Sequence, residues 1–168
     1  MSAQQGKHRS AAIRSLTDAL DQAYDHRAWH GTNLRGSLRG LPPAAALWRP
    51  GRGRHNIWEE VLHAAYWKYA VRQRLVGGKR GAFPLKGSNW FPAPRSASAQ
   101  EWKQAVALLA RFHRMLRQTV EEFPPAKLSR PPRGSKWPAF DMILGAAFHD
   151  VYHAGQIQLL KRLQRGSG

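Results

Sequence analysis

The sequence predicts an all-α fold, a four-helix bundle with long connecting loops, on three observations. Apolar residues recur at helical spacing in four stretches, Pro and Gly clusters separate those stretches, and nothing between them reads as a convincing strand. A chain of 168 residues is sized for one domain. We place it at residues 10–164, between a disordered N-terminal segment, 1–9, and a disordered tail, 165–168.

The first helix is expected over residues 10–38, with Ile13, Leu16, Leu20, Tyr24 and Ala28 as its apolar stripe and with Gly31 and Gly36 loosening its second half. A connection rich in Pro and Gly follows and holds one short helical turn at 44–47. The second helix begins at His55 or Asn56, where Asn can cap, and carries Ile57, Val61, Ala64 or Ala65, Lys68 and Leu75 to about Val76; Gly77 and Gly78 end it. The segment 77–96 has too many breakers for regular structure. A loop of that length is uncommon unless it covers a site or is disordered, and Phe83, Trp90 and Phe91 suggest that it packs down.

Ser98 and Glu101 form the sequence of a capping box for the third helix. Its inner face is Trp102, Val106, Leu109, Phe112, Leu116 and Val120, and it ends before Pro124 and Pro125. The fourth helix starts between Pro138 and Asp141 and runs to about Leu163. Its inner face reads Ile143, Ala146, His149, His153, Gln156 or Ile157, and Leu160.

Composition narrows the chemistry. There is no cysteine, which excludes disulfides and thiolate ligands, so a metal would rest on imidazole, carboxylate, carbonyl or water. The first thirty residues show no basic-then-apolar leader and no apolar run is long enough to span a membrane, so the expectation is a cytoplasmic protein without membrane attachment. A net charge of +17, from 19 Arg and 8 Lys against 10 acids, would draw nucleic acid or other anions. The bases are nevertheless spread along the chain with no run of five, and an Arg excess also follows from GC-rich coding.

His149 and His153 are four apart, so both imidazoles leave one helix face in the same direction, where Leu or Ile would otherwise be expected. His63 lies on another apolar helix face, and neighbouring bundle helices are close enough for it to meet that pair. Two readings stand at this point: a metal site with an open coordination position, or hydrogen-bonded histidines in a polar core layer. Gln156 continues the His153 face and is a candidate to position water or substrate. Glu59, one turn before His63, is a candidate base or imidazole partner, against a solvated pairing with Arg or Lys. Tyr66 and Tyr152 could close a cleft, Asp150 points about 100° away from His149, and His26 and His30 could line an entrance or replace a ligand. His113 reads as a surface residue off the inner face, and His8 and His55 as surface or capping residues near termini.

The segments from His55 to Tyr69 and from Ala147 to Ile157, with Trp29-His30-Gly31 and Trp48-Arg49-Pro50 before them, resemble the DinB-like family of damage-inducible metalloenzymes, related to YfiT-type hydrolases and to bacillithiol and mycothiol transferases. The resemblance implies a four-helix bundle with His63, His149 and His153 as ligands of a divalent metal ion such as zinc or nickel. It further implies activation of water or a low-molecular-weight thiol for hydrolysis or thiol transfer on a small electrophilic substrate, and pairing as a homodimer. The alternatives are a metal-binding protein without turnover and a basic bundle that binds nucleic acid or another anion.

Overall fold

The computed structural model describes residues 10–79, 81, 83–87 and 89–166; the expected disordered segment 1–9 and the last two residues of the expected tail lie outside these. Helix α1 spans Ala11–Tyr24, with the Ser10 hydroxyl accepting from the Ile13 amide at 3.3 Å. It stops well before residue 38 because the apolar stripe stops. Asp25, His26 and Arg27 are exposed, and the next buried side chain after Tyr24 is Leu34. There the Asn33 side chain caps a separate short helix, α2, Leu34–Ser37. The turn expected at 44–47 is α3, Pro43–Leu47.

The remaining helices fall close to where local signals put them. Helix α4, Ile57–Leu75, is capped by Asn56 and closed at the far end by Gly77 at φ 67°. The Asn56 cap is half of a full capping box with Glu59. Helix α5, Ala99–Glu121, carries the Ser98/Glu101 box. After a 3₁₀ turn, Pro125–Lys127, helix α6 runs Ala139–Arg165 and is capped by Gly166. The start of the expected tail is therefore helical: Arg165 closes the last turn. Among the described residues there is no strand.

Helices α1, α4, α5 and α6 form the bundle. Each packs on two neighbours in the cyclic order α1, α6, α4, α5, so α1 and α4 lie diagonally across the core. Successive helices on a diagonal need long crossovers, and the stretches holding α2 and α3, and later residues 122–138, supply them. No helix among the described residues is long and apolar enough to cross a membrane.

The core is in two parts. One gathers Ile13, Leu16, Leu20, Leu116, Val120 and Ile143, the other Val61, Ala65, Leu109, Phe112, Ala154 and Ile157. Fully burying a Leu, Ile or Phe side chain contributes about 1.5–3 kcal/mol, so these residues dominate the stability. Between the two parts lies a polar layer of Lys68, Asp150 and His113, at 1%, 0% and 3% exposure, beside the ring of Tyr24. Lys68 Nζ donates to Asp150 Oδ2 and sits 3.4 Å from His113 Nδ1, while Tyr24 stacks on His113 at 3.8 Å. The surface assignment of His113 is thus wrong. It is interior, and burial together with the Lys68 charge pushes it down to about 2, so it is neutral.

Candidate metal centre

The one cluster of potential metal ligands among the described residues is His63, His149 and His153. The α4 face opposite α6 presents His63, and the four-residue spacing on α6 stacks His149 over His153. Their ligand atoms all lie within 4.8 Å of one another: His149 Nε2 is 3.2 Å from His63 Nε2 and 2.9 Å from His153 Nε2.

The outer ring nitrogens are engaged elsewhere. His63 Nδ1 donates to the Asn89 carbonyl at 2.8 Å, and His153 Nδ1 pairs with Glu60 Oε2. Both contacts fix the tautomer that leaves Nε2 as a bare lone pair. At the junction of three nitrogens only His149 can then bring a proton, and it faces two acceptors. A cation satisfies all three at once. Tetrahedral coordination with bonds of about 2.0–2.1 Å separates its nitrogens by roughly 3.3 Å, close to the two distances that His149 Nε2 makes, so the residues fit such an ion. Burial pushes His63 down to about 4, against the raising effect of its bond to Asn89. Burial and then His153 push His149 down to about 3. Both rings are neutral and competent to ligate at neutral pH.

The loop between α4 and α5 covers this cluster, as its length suggested. Asn89 adopts the left-handed region at φ 67°, which Asn tolerates better than most side chains. That turn points its carbonyl at His63 and its side-chain oxygen at Trp67 Nε1, 2.8 Å away. Trp90 lies between His63 and His55, with ring centroids 3.9 and 3.6 Å away, and shields the junction from that side.

Glu59 is committed to holding this loop. Its carboxylate takes a two-pronged contact from Arg49, and accepts from His55 Nδ1 at 3.0 Å and the Ala93 amide at 3.3 Å, with none of the three histidines among its partners. Burial alone would raise its pKa, but the bonds from Arg49, His55 and Ala93 prevail and bring it to about 2. In this geometry Glu59 is not placed as a base, and its imidazole partner is His55 in the same clamp, not one of the three clustered histidines. The carboxylate that meets an imidazole of the cluster is Glu60, which the sequence reading passed over. A signal was present: a capping box at Asn56 already uses Glu59, leaving Glu60 as the free acid of that turn.

The other candidates divide. Gln156 is half-buried one turn beyond His153, and its side chain makes no hydrogen bond among the described residues. Tyr66 packs among Trp67, Phe83 and Phe91, whereas Tyr152 is 61% exposed with its edge toward His153. Asp150 turns to Lys68, as its angle around α6 required. His26 and His30 are exposed in the connection after α1, and His26 pairs with Asp25, so neither reaches the cluster.

A small apolar cavity of about 110 Å³ adjoins His149, lined by Trp67, Val71, Met142 and Ala146 among others. No curated protein and no solved structure matches the chain. Residues 24–157, from the end of α1 to beyond His153 on α6, match the DinB superfamily. With that match covering most of its length, the chain belongs to the DinB superfamily.

Proposed function

We propose that His63, His149 and His153 hold a divalent transition metal, zinc or nickel, and that the chain is a metal-dependent enzyme acting on a small electrophilic substrate by hydrolysis or low-molecular-weight thiol transfer. The observation that carries this reading is the meeting of three Nε2 atoms, with two of the rings, His63 and His153, oriented from behind by Asn89 and Glu60. Three protein ligands leave a position for exchange, and the ion would supply Lewis acidity there, making water or a thiol nucleophilic near neutral pH.

The chain's own residues do the rest. Glu60 holds the His153 ring and strengthens it as a donor. Trp90 and Trp67 keep bulk water from two sides of the junction. Gln156, unpaired on the same helix face, orients the nucleophile or the substrate carbonyl. The cavity beside His149 receives a small apolar part of the substrate.

Elemental analysis of tag-free protein tests the metal: about one equivalent in the wild type and a loss of at least tenfold in His63→Ala and in His153→Ala. Equal metal in all three removes the proposal. Single-turnover assays with thiols and a panel of electrophiles then test the reaction, with Gln156→Ala expected to keep the metal and lose rate.

A further inference from the structure

A basic concave surface lies at the opposite end of α4 from its N-cap. Two concavities, of about 620 and 590 Å³, share Arg74, Gly77 and Arg133 in their walls and so run together as one extended groove. It is formed by the end of α4, the end of α5 and the crossover to α6. Its walls carry Arg72, Arg74, Lys79, Lys127, Arg130 and Arg133 against a single carboxylate, Glu122.

None of the six cations forms an ion pair among the described residues, and the Arg72 Nε is buried without a hydrogen-bond partner. The ion pairs that arginines form elsewhere, Arg35 with Asp25, Arg49 with Glu59, and Arg117 with Asp21 and Glu121, all lie outside this groove; what sets the groove apart is six cations converging on one concave surface. The C-termini of α4 and α5 end here, and their dipoles add roughly half a negative charge each. That offsets about one cation of six. A concave, unneutralised field of this kind focuses anions, and its elongation suits a chain of evenly repeated charges better than one compact anion.

We propose that this groove binds the phosphodiester backbone of a nucleic acid, independently of base sequence. Arg74 and Arg133, common to both halves, are its central phosphate contacts, with Arg72 in the wall on the α4 side. The aromatic ring in the lining, Phe123, is partly buried against the core and offers little face to stack a base, which is why recognition stops at the backbone. Arg72 is nine residues beyond His63 along α4, roughly 14 Å of helix, so the groove is separate from the histidine cluster and does not depend on its metal.

The experiment is a fluorescence-anisotropy titration of the full chain with a labelled DNA 20-mer, single-stranded in one arm and duplex in the other, from 50 to 200 mM salt. Arg74→Ala/Arg133→Ala is compared with Arg95→Ala/Lys103→Ala, a double variant of equal net charge whose exposed sites lie near the start of α5. The groove variant is expected to bind at least tenfold more weakly, with a salt slope shallower by roughly 2 on duplex. The control stays within twofold of wild type. The preferred arm identifies the strand form. Equal weakening in both variants, or no binding at 50 mM salt, overturns the proposal. Unchanged thermal midpoint and metal content in the groove variant establish that any loss is local.

Discussion

Replacing Lys68 by Met would strand a carboxylate at the centre of the bundle. In the native packing Lys68 Nζ is the hydrogen-bond donor to Asp150 Oδ2, and Asp150 Oδ1 has no partner of its own. Asp150 is fully buried, and burial raises its pKa while Lys68 lowers it. Met keeps the volume and removes the counter-charge. The group then escapes by taking a proton, which at pH 7 costs about 1.4 kcal/mol for each pH unit above an ordinary Asp near 3.9, or about 4 kcal/mol. This agrees with the range of about 3–5 kcal/mol for breaking a buried pair. At 2–4 °C per kcal/mol for a chain of this size, the midpoint should fall by roughly 8–16 °C.

The assay is thermal unfolding followed by circular dichroism in EDTA, which takes metal linkage out of the comparison. The loss carries a pH signature: the folded variant holds a proton that its unfolded chain releases, so the penalty grows as pH rises from about 4 to 7 and shrinks by about 1.4 kcal/mol per unit on acidification. Lys68→Met/Asp150→Leu should recover most of the stability, because replacing both partners removes the stranded charge. A single-variant loss below about 1 kcal/mol at pH 7, or a double variant no better than the single, would refute this account of the layer.

Three further outcomes follow from the site. Glu60→Gln should weaken metal affinity roughly 10–100-fold in a competitive chelator titration while leaving helix content unchanged, since it removes only the charge behind His153. Glu59 is held at about 2, below an unfolded value near 4.5, so its contribution is complete above about pH 4.5 and is lost as pH falls toward 2. With Arg49 partly exposed, that contribution is about 2 kcal/mol, and the urea-derived stability gap between wild type and Glu59→Gln should close across that window. Trp90→Ala should raise the exposure of His63 and quicken metal loss to a chelator, measured by stopped flow, without changing the stoichiometry.

The residues that sequence reasoning missed share one property: their meaning depends on a partner far along the chain. Glu60 and His153 are 93 residues apart, and Lys68 and Asp150 are 82 apart. A pattern read along one helix assigns a direction to each side chain but not what stands opposite. His113 is the clearest case: it borders Phe112 on α5, and only the packing of Tyr24 from α1 and Lys68 from α4 against it makes that position interior. The length of the first helix failed for a related reason. Helical propensity continued past Tyr24, but no buried surface did, and the Asn33 cap began a new helix.

Short-range order was written in the sequence. The caps at Ser98 and Asn56, the stop at Gly77, the stripe of α5 and the i, i+4 pairing of His149 with His153 are set by bonds and spacings within a few residues, and local chemistry decides them. The tertiary structure alone decided that His63 meets this pair, that Asn89 and Glu60 stand behind two of the rings, and that Glu59 faces the loop instead. Those contacts join segments distant in sequence, and the register that brings them within hydrogen-bond reach is fixed by how the helix faces bury one another.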